Sequence, residues 1–208
     1  MLNEGRRGQP TIDAVSVPSR VEAAAIVRSM SPSDKLLRHS AAVAEVAAFL
    51  CAAMVGRGIE LDATRIETAA LLHDIDKMLP ADDPLRALGH GPAGAEWLRR
   101  HGCEELADAV AQHPVMMLGR APTYDSWADA AGFEGRVVFY SDKRARQRLV
   151  TLDDRFADWY DRYPDSPELS VAHERARRLE KVVCSLAGVR PRDVDRQAWV
   201  EEAVRDAA

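Results

Sequence analysis

Residues 69–77 run Ala-Ala-Leu-Leu-His-Asp-Ile-Asp-Lys, an apolar helical segment that ends in a cluster of titratable side chains. By helical spacing His73 aligns with Ile66, Ala69 and Ala70, so its ring points to the core side. The small alanines there let another helix approach closely. Adjacent helix residues diverge by about 100°. His73 and Asp74 therefore reach a common point only if it lies between their directions, as a cation in a helix cleft does. Lys77 follows Asp74 by three residues and His73 by four, which places its ammonium over the same spot. The residues alone equally allow an Asp74–Lys77 surface pair beside a packing histidine.

The helical pattern continues outward on both sides. Ser19 is placed to cap a helix through Met30, and Ser31-Pro32 reads as a cap with a first-turn proline opening a helix over 33–55. Gly56 and Gly58 end it. Asp62 caps a helix expected over 63–78, and Pro92 opens one to Gly102. A short helix covers 104–113 and ends at Pro114. Residues 115–132 are the least regular part, with room for a single helical turn. Helices are expected over 134–150, 152–163 and 167–187, with a last one opening at Pro191. Alternating strand patterns are nearly absent, so the fold class is all-α. Residues 1–18 carry Gly, Pro and Arg without apolar periodicity and read as a flexible tail. The expected organisation is a core over 19–150 and a C-terminal helical extension over 151–208 packed on it.

Composition narrows the function classes. The chain has 208 residues, 47% hydrophobic and 29% charged, with 28 basic against 33 acidic residues and a net charge of −5. That balance suits a soluble globular protein and speaks against nucleic-acid binding, which rests on clustered positive charge. No apolar run reaches membrane-spanning length by sequence; the longest, Ala41–Val55, is interrupted by Glu45. The N-terminus lacks a signal-peptide core. Cys51, Cys103 and Cys184 are odd in number and widely spaced, against a disulfide framework or thiolate zinc site and for a reducing cytoplasm.

Further polar residues fall where a core is expected. His39 shares a face with Leu36, Val43, Val46 and Leu50, and His113 with Leu106, Ala109 and Val110. His90 precedes Gly91-Pro92 at the mouth of a helix with Ala93, Gly94 and Ala95 in its first turn. Asp142 lies on the stripe Val138, Phe139, Ala145 and Leu149, where a carboxylate is costly without a compensating cation. For the histidines, a ring bonded to a nearby carbonyl remains the alternative. For Asp142 it is one of Lys143, Arg144, Arg146 or Arg148 bending back. His101, beside Gly102, and His173, flanking the stripe of its helix, read as structural. Four histidines and two aspartates form an N/O ligand set suited to Fe, Mn, Zn, Co, Ni or Mg, and six protein ligands make two ions the natural count.

The order His39, His73-Asp74, Asp142, with the HDxxK form His73-Asp74-Ile75-Asp76-Lys77, resembles the HD superfamily of metal-dependent phosphohydrolases over residues 33–150. His90-Gly91-Pro92-Ala93-Gly94-Ala95 is similar to the HGxxGA segment of the branch that hydrolyses symmetrical dinucleoside tetraphosphates. His113 matches the extra histidine of dinuclear members. The resemblance implies a helical bundle with two divalent metal ions (Fe, Mn or another transition metal). His39, His73, Asp74 and Asp142 would hold one ion, and Asp74 would bridge to a second held by His90 and His113. Two features depart from that branch: Pro114-Val115-Met116 stands where it tends to carry Thr-Thr-Gly, and the segment after Asp142 is basic. The HHE and GYP signatures of cyclic-di-GMP phosphodiesterases are absent.

The function implied is hydrolysis of a phosphoester or phosphoanhydride bond, in a small phosphorylated substrate such as a nucleotide, by a metal-activated hydroxide. Lys77 and Asp74 are the candidate catalytic residues. Lys77, Arg120, Arg144 and Arg146 are the candidates for binding substrate, with solvated or salt-bridged positions as the alternative. Trp127 and Tyr124 are placed either to stack on a base or to pack on the core. Competing readings are an HD-type di-iron oxygenase and a non-enzymatic metal-containing sensor or binding module. No nucleic-acid or membrane partner is expected, and the apolar stripe of the C-terminal helices suits either a core extension or a homodimer interface.

Overall fold

An unbroken helix through Leu72 would send Asp74 and Asp76 to opposite sides, about 200° apart, yet both are buried together with His73. In a computed structural model, which describes residues 17–208, the helix does stop there. The expected tail over 1–18 lies almost wholly outside the described residues. Helix α3 (Ala63–Leu72) is capped by Asp62, whose carboxylate accepts from Arg65 N at 2.9 Å, and it ends with His73 as its C-cap. Asp74 takes φ −101°, ψ 20°, and a 3₁₀ turn follows over Ile75–Met78. The expected single helix over 63–78 is thus corrected: breaking it turns His73, Asp74 and Asp76 inward together.

The other elements are α1 (Arg20–Ser29), α2 (Asp34–Val55), a 3₁₀ turn (Pro84–Leu88), α4 (Pro92–Arg100), α5 (Glu104–Gln112), α6 (Val115–Arg120), α7 (Tyr124–Lys143), α8 (Leu152–Arg162), α9 (Pro167–Ala187), a 3₁₀ turn (Pro191–Asp193) and α10 (Val200–Asp206). Among the described residues there are no strands, only one isolated bridge between Ala145 and Leu149. The protein is all-α. Helices α2, α3, α5 and α7 pack on one another around the core, with α4 against α5, α9 along α6 and α7, and α10 against α1.

Helix α2 is the central element. Its most apolar stretch has a mean hydropathy of 1.4 over a helix of 22 residues, long and apolar enough to cross a membrane, contrary to the expectation from sequence. Yet 61% of that stretch is buried inside the bundle, and it is flanked by helices on several sides. Glu45, the charge within it, is buried because Arg196 Nε donates to it at 2.7 Å and its carbonyl accepts from Gln197 N at 2.9 Å. These contacts lay residues 194–199 across α2. The last helix therefore starts at Val200 and not at Pro191.

Three further boundaries differ from the sequence pattern. Ser33, not Ser31, caps α2, accepting from Leu36 N at 3.3 Å, while Ser31 sits at φ 48°. Residues 115–132 hold helix α6 and the first half of α7, opened by a Thr123–Ser126 capping box and kinked at Gly132 (φ 65°). At its other end α7 stops at Lys143, because Arg144 and Val150 close a loop: Arg144 Nε donates to Val150 O and Val150 N to Arg144 O, both at 2.9 Å. Arg144 is thereby turned into the core, where it also donates to Tyr140 Oη at 2.7 Å.

Gly119 fixes the seat of α9 on α6. A Cβ there would run into the Glu168 carbonyl, with the carbonyl carbon only 3.0 Å away. Gly119→Ala is expected to lower unfolding free energy by about 1–3 kcal/mol despite the roughly 1 kcal/mol helix-propensity gain. Urea denaturation reads this directly.

Candidate metal centre

Four imidazoles converge from four separate elements. His39 comes from the second turn of α2, His73 from the end of α3, His90 from the loop before α4, and His113 from the C-cap of α5. Their Nε2 atoms face one another in two pairs: His39 to His73 at 3.2 Å, and His90 to His113 at 3.1 Å. The second pair depends on Gly91. It holds φ 90°, and a Cβ on it would lie 2.6 Å from the Pro114 ring, so glycine is needed to bring the two histidine-bearing loops together.

The Nδ1 atoms settle the tautomers. His39 Nδ1 lies 3.0 Å from Arg146 O, His73 Nδ1 2.8 Å from Ala70 O, and His113 Nδ1 2.6 Å from Val110 O. A carbonyl only accepts, so each Nδ1 carries the proton and donates. His90 Nδ1 stands 2.9 Å from the Asp76 carboxylate in the same role. Each Nε2 of the neutral rings then presents a lone pair to the centre, as in histidines that bind metal with their outer nitrogen hydrogen-bonded behind them. Two lone pairs facing at about 3 Å repel, and a cation between them removes the repulsion.

The carboxylates complete the set. Asp74 straddles the two pairs: Oδ2 is 3.5 Å from both His39 and His73 Nε2, while Oδ1 is 3.5 Å from His113 and 3.6 Å from His90 Nε2. Asp142 Oδ1 lies 3.3 Å from His39 Nε2 and 3.8 Å from His73 Nε2. Asp74 Oδ1 is buried without an aligned hydrogen bond, although Lys77 Nζ stands 2.8 Å from it and donates to Oδ2. An orphaned carboxylate oxygen among lone-pair nitrogens fits a metal ion. The groups His39–His73–Asp142, His73–Asp74–His113 and Asp74–Asp76–His90 each hold their donor atoms close enough to share one.

Burial and neighbouring charge act differently on the members of the cluster. Burial drives His73 down to about 3 and lowers His113 as well, keeping both neutral. For His39 burial acts in the same direction, but the bond and charge of Asp142 outweigh it and raise the ring above its usual value. Burial opposes ionisation of Asp74 and Asp142, yet both stay well below the usual carboxylate range. His73, His113 and Lys77 hold Asp74 down, and Lys143, His39, His73 and Arg155 hold Asp142.

The centre forms the floor of a cleft of about 650 Å³. His39, Asp74 and Lys77 line it, with Lys35 from α2, Arg146 and Gln147 from the α7–α8 connection, and Arg155 and Arg162 from α8. Of the basic residues proposed from sequence to bind substrate, Lys77 and Arg146 reach the cleft. Arg120 is on α6, paired with Glu168 at 3.8 Å, and Arg144 is buried against Tyr140, so neither lines it. Trp127 is buried against Phe139 and donates to Gln112 O, and Tyr124 packs beside it, which places both in the core. His101 stacks on Trp97 and His173 on Phe156, away from the centre.

Three participants escaped the sequence reading. Asp76 would point away from Asp74 on an unbroken helix, and only the helix break brings it behind His90. Lys143 was one of four basic neighbours of Asp142; it is fully buried, paired with Asp142, and donates to His113 O at 2.9 Å. Arg155, 3.7 Å from Asp142, comes from a different helix with no motif to mark it.

An all-α bundle with a four-histidine, three-aspartate cluster, buried but for His90 and lying under an open cleft, defines a helical metal-binding domain. The HD domain model matches residues 36–163, more than half of the chain, and the protein belongs to the HD domain family, whose members bind divalent metals and are generally hydrolases. No curated protein and no solved structure matches the chain.

Asp76 holds the His90 ring from behind. Asp76→Asn keeps the shape but weakens that bond, and is expected to reduce affinity for Mn(II) about 10–100-fold at the weaker-held position. Equilibrium dialysis of the full chain checks it. Stripping metal with a chelator is expected to lower the melting temperature, since metal binds the folded site and not the unfolded chain.

Proposed function

We propose that this protein is a metal-dependent phosphohydrolase with two divalent ions bridged by Asp74, cleaving a phosphoester or phosphoanhydride bond of a small phosphorylated molecule such as a nucleotide. The observation that carries this reading is the charge balance of the centre. Lys77 pairs with Asp74, and Lys143 and Arg155 stand against Asp142, while Asp76 is taken up by His90. Divalent ions held by the histidines would add positive charge beside carboxylates that already have partners. The loaded site would therefore call for an anionic ligand, and the cleft above it carries Lys35, Arg146, Arg155 and Arg162 against Asp158 and Asp161, an excess of basic side chains.

The division of labour follows from position. His39, His73 and Asp142 would hold one ion and His90 and His113 the other, with Asp74 placed between them. The bonds behind each ring fix its direction before substrate arrives, so no reorientation is needed as charge moves in the transition state. When bound, a pair of divalent ions lowers the pKa of a coordinated water and neutralises phosphoryl oxygens. Lys77, 2.8 Å from both Asp74 oxygens and 46% exposed, anchors that carboxylate and turns the free side of its ammonium to the cleft. The fit of His90-Gly91 into the second pair supports the dinuclear branch, so symmetrical dinucleoside polyphosphates belong among the first substrates tried. The buried free thiols Cys51, Cys103 and Cys184 are consistent with work in a reducing cytoplasm.

Mn(II)- or Fe(II)-loaded protein is expected to release phosphate or nucleoside phosphates from a nucleotide panel, and Asp74→Asn to fall to the level of the metal-free protein. Oxygen uptake with polyols or phosphonates is measured in parallel. Oxygen consumption without phosphate release would overturn the hydrolase reading in favour of an oxygenase. Silence in both assays with metal bound would point to a binding role.

A further inference from the structure

Of the cations that stand against Asp74 and Asp142, Arg155 alone makes no side-chain hydrogen bond to a described residue. Lys77 is bonded to Asp74, Lys143 to Asp142 and the His113 carbonyl, and Arg146 to Asp158 and the Asp154 carbonyl. The Arg155 side chain is 19% exposed, and its Nη2 stands 3.7 Å from Asp142 Oδ1, beyond hydrogen-bond length. Its Nε is buried with no hydrogen-bond partner among the described residues. The guanidinium lies over the Trp159 ring, 4.5 Å from its centroid, and lines the cleft together with His39 and Asp74.

These features describe a receptor. Stacking on Trp159 orders the planar fork in advance, which removes much of the entropy cost of using it. Its donors are not consumed by protein acceptors, and it stands beside the carboxylate at the floor of the cleft. We propose that Arg155 is a substrate-binding residue whose guanidinium receives a non-bridging oxygen of a tetrahedral phosphoryl group seated over Asp74 and Asp142. A planar fork matches two oxygens of such a group, which a point-charge ammonium does not. The inference rests on the phosphohydrolase reading for the chemistry that follows, though not for the binding itself. It makes α8, outside the histidine-aspartate motif, part of the substrate site.

The test uses inorganic phosphate as probe and the Mn(II)-loaded full chain, by calorimetry, with metal content measured on the same samples. Arg155→Met is expected to weaken phosphate binding about tenfold or more, with metal per chain unchanged. Arg155→Lys, which keeps the charge and the stem, is expected to bind phosphate several-fold more weakly than wild type, because the fork is lost. If Arg155→Met fails to fold, the lysine variant carries the test. Wild-type phosphate affinity in a folded variant overturns the proposal. So does loss of phosphate binding that merely follows loss of metal, since Arg155 would then act through Asp142, and so does absence of phosphate binding by wild type. If binding depends on Arg155 while no phosphoester is cleaved, the receptor stands and the phosphohydrolase reading falls.

Discussion

Four imidazole lone pairs, three of them on buried rings, aimed at one shared carboxylate are the constraint on which the structure turns. Each ring is locked by a bond from its Nδ1, so the outer nitrogens cannot turn away from one another. Such an arrangement is unfavourable as a dry core and favourable as a cation cradle. Much of the local architecture serves it. The helix break at His73 turns successive polar residues inward, and Gly91 lets the His90 loop meet Pro114. Gly135 lets α7 approach α5, with a hypothetical Cβ only 3.2 Å from Ala109 Cα.

The two other buried carboxylates make a useful contrast. Glu45 and Glu67 lie in the same central helices, but each is satisfied by an arginine: Arg196 for Glu45 and Arg20, at 2.5 Å, for Glu67. Those pairs tie the ends of the chain to α2 and α3 and ask for nothing further. Asp74 is different: besides Lys77 it faces four imidazole Nε2 atoms at 3.5–3.6 Å, none of which donates in the tautomers set by the Nδ1 bonds. Burial alone therefore does not mark a functional carboxylate. What marks it is burial among converging imidazole nitrogens at the floor of an open cleft.

Much of this was legible in the sequence because helical spacing reports which side chains face inward. His39, His113 and Asp142 sat on apolar stripes, and the described structure brings them with His73, Asp74 and His90 to one place. Spacing assumes an unbroken helix, and there it failed. Asp76 was hidden because the α3 break resets the angular relation between residues 73 and 76. Residues 115–132 looked irregular because the Gly132 kink and the short α6 interrupt the apolar period. The last helix was misplaced because a tertiary contact, residues 194–199 on Glu45, overrode a local proline signal. Arg144 and Arg155 show the same limit in side chains: both are basic residues near Asp142, and only the path of the α7–α8 connection sends one into the core and the other into the cleft.

The central claim is that Asp74 is shared between two cation positions. The most direct measurement is elemental analysis of metal per chain, on protein purified without air or chelator and then reconstituted with Mn(II) or Fe(II). About two ions per chain is the result this account predicts, since each Asp74 oxygen faces a different histidine pair. A single ion would contradict the bridged centre, and a chain that takes up no metal would contradict the cation cradle altogether.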